Sequence, residues 1–151
     1  MSREVRRVPS DWEHPKEYNI HRREDCYKPL YDDDFEVCAK YWDAAREKWD
    51  AGERPDYAPH DEYPIGYQFD QWEGPRPYSG DYMPQWSEAE RTHYMMYETT
   101  SEGTPISPVF ATPEELARWL TDTNASAFAG HGASYEAWLR VANGGYAPRQ
   151  L

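Results

Sequence analysis

The sequence predicts an α+β fold: a small antiparallel sheet, about three helices and much ordered coil, read as a single domain of 151 residues. Three observations carry that prediction. Apolar residues recur at helical spacing in some stretches, whereas Thr92–Thr100, reading THYMMYETT, has the Tyr/Thr enrichment of a strand. Thirteen Pro and nine Gly exclude an all-helical bundle. Aromatic residues make up 16% of the chain, which excludes a disordered acidic tail, since such tails are poor in aromatics.

Residues 1–31 read as an irregular N-terminal arm, because Pro9, Pro15 and Pro29 interrupt any period. Trp12, Tyr18, Ile20, Tyr27 and Tyr31 would lay this arm across a core. Residues 32–52 form an amphipathic helix. Asp33 with Glu36 makes a capping pair, and Phe35, Cys38, Trp42, Ala45 and Trp49 draw one apolar stripe. Gly52 stops it and Pro55 forbids continuation. Residues 53–91 are a Pro- and aromatic-rich acidic segment, with a short strand weakly signalled at Gly66–Trp72 and a helical turn at 88–91 after the Ser87/Glu90 pair. Residues 92–145 hold a hairpin and two helices. The first strand, Thr92–Thr100, is apolar or aromatic on both faces and so is covered on both sides. The second, Ile106–Ala111, contains Pro108 and belongs at an edge. Thr112-Pro113-Glu114-Glu115 starts a helix with an N-cap, Pro in the first turn and acids at the positive dipole end. Ser134 starts another, closed by Gly144-Gly145.

The net charge of −12 is local. Residues 31–105 carry eighteen Asp/Glu against six Lys/Arg, while the segments before and after are near neutral. A field of that sign repels phosphate, so direct nucleic-acid binding is not expected. No apolar run is long enough for a membrane span, and the start MSREVRRVPSDWEHP has no apolar core of a secretory signal. Cys26 and Cys38 form no metal-knuckle pair and read as reduced thiols.

Motifs for chemistry are missing from the pattern. The five His are scattered without H-x3-H or H-E-x-x-H spacing, and Asp32-Asp33-Asp34 lacks the alternation of a calcium loop. There is no G-x-S-x-G elbow, and neither Cys has an adjacent His. The expectation is therefore a protein that is not an enzyme and holds no cofactor or metal. What remains is the acidic, aromatic-rich middle. Solvation alone accounts for many such charge excesses. The alternative is a recognition surface, because Tyr and Trp supply rigid contact area and acids steer basic partners. The residues it nominates are Asp43, Glu47, Asp50, Asp61, Glu62, Asp70, Trp72 and Glu73. Asp43, Glu47 and Asp50 fall in one helical row, loosely spaced like successive phosphates. A second function class is a small-ligand or nucleotide binding module built on Tyr97, Ser101, Glu102 and Ser107, although turn hydroxyls commonly do no more than cap the backbone.

The block from His93 to Leu139 resembles a module of small acidic proteins of tailed phages and prophages, marked by ETTSEGTPISPVFATPEELA at Glu98–Ala117. The opening MSREVRRVPSDWEHP resembles their usual start, and residues 40–86 match least. The resemblance brings no catalytic residue. It implies a phage accessory protein in the cytoplasm of a bacterial host. Proteins of that origin are often inhibitors of host defence, anti-CRISPR and anti-restriction proteins among them. The expected partner is then a basic, nucleic-acid-handling host protein such as a CRISPR effector or defence nuclease. A minor virion or assembly component is the third reading.

Overall fold

The computed structural model describes residues 2–54, 68–127 and 130–145. The fold is α+β, with a three-stranded and a two-stranded antiparallel sheet and four α-helices among the described residues. The chain divides into two compact units, residues 1–32 with 84–151, and residues 33–83.

In the first unit, β1 (Arg3–Val8), β4 (His93–Glu98) and β5 (Thr104–Pro105) form a sheet in the order β1-β4-β5. β2 (Lys16–Asn19) and β3 (Glu24–Tyr27) make a separate hairpin. Residues 1–31 are thus not an irregular arm. Their period was masked by charge: in REVRRV the residue that faces inward between Glu4 and Val8 is Arg6, which is 4% exposed. Its guanidinium is compensated by Glu4 at 2.8 Å, the Leu30 carbonyl at 2.8 Å and the face of Tyr97 at 4.3 Å. An arginine so paired can occupy a core position that sequence patterning assigns to an apolar residue. Tyr18 and Ile20, expected to cross a core, stand 65% and 74% exposed on the hairpin.

β4 is central and covered on both faces, as its two-sided apolar pattern demands. One face carries Met96 and Tyr94, opposite Val5 and Arg7 of β1. It packs on α3 (Pro113–Asp122) and α4 (Tyr135–Ala142), where Leu116, Leu120, Trp138 and Val141 are fully buried. The other face carries the buried Met95 and Tyr97, and the Tyr97 hydroxyl meets Trp12 and His14. Both helix starts follow the sequence: the Thr112 and Ser134 hydroxyls accept from the amides of Glu115 and Ala137. The second hairpin strand is shorter than expected. Only Thr104–Pro105 pairs regularly, and Phe110 rejoins β4 through a single bridge to Tyr94. The chain bulges between them at Pro108, which has no amide hydrogen to give the ladder.

In the second unit, α1 (Phe35–Asp50) buries Trp42 and Trp49 against Phe69 of α2 (Phe69–Glu73), with Ala45 and Trp72 packed alongside. Its N-cap is Asp34, not Asp33: the Asp34 carboxylate accepts from the amides of Glu36 and Val37. Gly52 follows at φ +90, the left-handed geometry of a helix stop. Residues 69–73 are helical where a strand was read, and Gly66 and Tyr67 lie outside the described residues. The Ser87/Glu90 pair of the first unit closes a tight turn, with the Glu90 carboxylate accepting from the Ser87 amide and hydroxyl.

Candidate functional site

The described residues form a recessed surface on each unit. The first lies on the 33–83 unit, which holds thirteen acidic and five basic residues, a net of −8 out of −12. Trp42 and Trp49 turn one face of α1 inward, so the 3.6-residue period turns Glu36, Asp43, Glu47 and Asp50 outward. Asp70 and Glu73 are exposed on α2, and Trp72 is half-buried between them. Asp61 and Glu62 lie outside the described residues.

Two of the three acids in the helical row are paired. Arg76 binds both carboxylate oxygens of Asp43 at 3.0 Å, and Arg46 reaches Asp50 at 3.6 Å. The Arg76 hydrogen bond, followed by its charge, holds the Asp43 carboxyl below its ordinary value; Arg76 is held correspondingly high. Glu47 has no ion pair among the described residues. Arg76 stands 33 positions from Asp43, so no local sequence pattern could reveal the pair. Beside this face, Tyr41, Lys48, Trp49, Arg54, Trp72 and Glu73 line a groove of about 480 Å³. Arg54 lies 3.6 Å above the Trp49 ring, and the indoles of Trp49 and Trp72 are nearly parallel.

The second surface belongs to the first unit. A groove of about 590 Å³ runs between the β2–β3 hairpin and the loop after β4, lined by Tyr18, Arg22, Tyr27, Glu98, Ser101 and Thr104 among others. Of the four residues nominated for a ligand, only Ser101 lines it, and its hydroxyl is engaged with Glu98 at 3.0 Å and Thr104 at 2.7 Å. Glu102 is an exposed turn residue at φ +72. Tyr97 and Ser107 are buried beneath the surface, and both are satisfied internally. The Tyr97 hydroxyl lies 3.0 Å from Trp12 Nε1 and 2.9 Å from His14 Nδ1. Burial pushes its pKa up to about 12, against a smaller opposing effect of the Trp12 bond. The Ser107 hydroxyl accepts from the Met96 amide and donates to the Pro108 carbonyl, each at 2.9 Å.

Many residues of the segment Glu98–Ala117 hold the fold. Ser101 and Thr104 tie the turn, Gly103 fits under Leu30 and Ser107 repairs the bulge. Phe110 bridges to Tyr94, Thr112 caps α3, and Leu116 with Ala117 enters the core.

Comparison with protein-family models, curated proteins and solved structures finds no match for the chain. Among the described residues no group of three His, Cys, Asp or Glu is gathered as for a metal ion. No helix there is long and apolar enough to cross a membrane.

Proposed function

We propose that this is a non-enzymatic binding protein that docks its acidic 33–83 unit on a basic surface of a nucleic-acid-handling protein. On the resemblance of its C-terminal half, we place it among phage accessory proteins acting against a host defence nuclease or CRISPR effector. The observation that carries the reading is the concentration of charge. A net of −8 falls on a 51-residue unit whose Asp43, Glu47, Asp50, Asp70 and Glu73 all face solvent beside an aromatic groove.

The ion pairs of Asp43 and Asp50 do not oppose this. Both partners in each pair are about half exposed, so a guanidinium or ammonium of a docking protein can compete for the same oxygens. Such a surface accelerates encounter with a basic groove and supplies Trp72 and Tyr41 as rigid contact area. The test is capture of purified, nucleic-acid-free effectors and nucleases at low and high salt. Capture that weakens with salt and with Asp43→Asn, Glu47→Gln and Asp50→Asn together supports the reading; capture indifferent to both refutes it.

A second reading, a small-ligand module, is favoured by the 590 Å³ groove with Ser101 and Thr104 on one wall and Tyr18 and Tyr27 on the other. A thermal-shift screen with nucleotides tests it. A ligand at about a hundred times its dissociation constant adds roughly 2.7 kcal/mol, and no shift across the panel removes the reading.

A further inference from the structure

His14 is 6% exposed, and both ring nitrogens are used. Nε2 lies 2.6 Å from the Lys28 carbonyl oxygen, and Nδ1 lies 2.9 Å from the Tyr97 hydroxyl. A carbonyl only accepts, so Nε2 carries the proton and Nδ1 accepts from Tyr97. The Tyr97 oxygen in turn accepts from the Trp12 indole. The chain of bonds therefore has a fixed direction, from Trp12 through Tyr97 and His14 to Lys28, and every member is satisfied only while the imidazole is neutral.

A second proton on His14 has no place in this arrangement. Its Nδ1–H would face the Tyr97 hydroxyl, whose own hydrogen would then have to leave its acceptor. The surrounding charges offer no relief. Arg6 of β1 faces the same cluster, and its carboxylate partners, Glu4 and Asp32, are turned to the guanidinium. From β3 comes the Tyr27 ring, 5.7 Å from the imidazole, with the Lys16 ammonium of β2 on it at 4.9 Å. No carboxylate touches His14 among the described residues. Burial chiefly, with Arg6 adding to it and the Lys28 bond opposing, holds the imidazole below its ordinary value.

What His14 secures is the β2–β3 hairpin. Of the eight residues in these two strands only Asn19 and Cys26 are even partly buried, so the hairpin has little packing of its own. It is held to the sheet by His14 Nδ1 on the Tyr97 hydroxyl, by Leu30 N–H on Gly103 and by Arg6 on the Leu30 carbonyl, while Lys28 N–H on Pro15 and His14 Nε2 on the Lys28 carbonyl close its base. The opposite face of the sheet is different. Its core of Met96, Leu116, Leu120, Trp138 and Val141 contains no group that titrates near neutrality. We propose that His14 is an acid-sensitive latch, whose protonation releases the β2–β3 hairpin from the sheet while the helix-covered face stays packed. The hairpin is also one wall of the 590 Å³ groove, so release opens that groove.

Hydrogen exchange of the full chain, expressed as protection factors at pH 7.5 and 5.0, tests this on either side of the ordinary imidazole value of about 6.5. The Leu30 amide, bonded to Gly103, is expected to lose about tenfold or more in protection at the lower pH, with Leu120 and Val141 unchanged. His14→Gln should make Leu30 protection independent of pH over this range. The proposal is overturned if the Leu30 and core amides lose protection together, if the Leu30 amide does not respond, or if His14→Gln retains the acid loss. Should that variant fail to fold, the wild-type His14 titration followed by NMR decides. Its midpoint must coincide with that of the Leu30 amide, and a separate midpoint overturns the latch.

Discussion

The Ser107 hydroxyl occupies the place of a strand carbonyl opposite Met96, accepting from the Met96 amide at 2.9 Å. Continuing the register of the Tyr94–Phe110 bridge would set Pro108 against Met96, and proline has no amide hydrogen to donate. The chain instead inserts two residues, and the Ile106 amide takes the Met96 carbonyl. Ser107 relays the remaining amide to the Pro108 carbonyl. Ser107→Ala should therefore strand a buried amide and cost about 1–3 kcal/mol in denaturant unfolding, with the fold retained. An unchanged unfolding midpoint would deny the relay.

Gly103 has φ +114, and a Cβ there would overlap the carbonyl oxygen of Leu30, which lies against it. Its own carbonyl accepts from the Leu30 amide at 3.0 Å, so neither chain can withdraw without losing that bond. Gly103→Ala should cost roughly 2 kcal/mol or more, combining a left-handed penalty with a backbone clash. Thermal unfolding of the variant measures it.

Which aspartate caps α1 is open to a paired substitution. Asp34 accepts from two amides of the first turn. Asp34→Ala should cost about 1 kcal/mol and Asp33→Ala should leave the unfolding midpoint in place. The reverse order would return the cap to Asp33.

Tyr97 sets an alkaline limit on stability. Burial, chiefly, pushes its phenol up to about 12 in the folded chain, against about 10 when unfolded. A group whose folded value is raised contributes fully below the unfolded value and loses its contribution as pH climbs toward the folded one. Stability should thus decline between about pH 10 and 12, by an amount on the order of 2–3 kcal/mol if nothing else titrates. Tyr97→Phe should remove the part of that decline that belongs to Tyr97, while orphaning the Trp12 indole and His14. Denaturant melts across this pH range check both.

Three of the four described α-helices were legible in the sequence because their signals are local, whereas the five-residue α2 was read as a strand. Thr112-Pro113 and Ser134 placed two starts, and the Phe35–Trp49 stripe placed the longest helix. The two-sided pattern of β4 likewise announced a strand covered on both faces. What stayed hidden depends on distant partners. Arg6 reads as a surface residue until Glu4, Leu30 and Tyr97 surround it, and with it the period of β1 disappears. Tyr97 and Ser107 looked available for a ligand because a hydroxyl in sequence does not reveal that His14 or Met96 has claimed it. Arg76, which ties up Asp43, is remote in the same way.

The proposed acidic docking face is most directly tested by the salt dependence of affinity for a purified basic effector. The chain and its triple variant Asp43→Asn, Glu47→Gln, Asp50→Asn are compared at equal thermal stability. The account predicts that the variant binds on the order of tenfold more weakly at low salt and depends less steeply on salt. Equal affinities and equal salt slopes for the two proteins would contradict it.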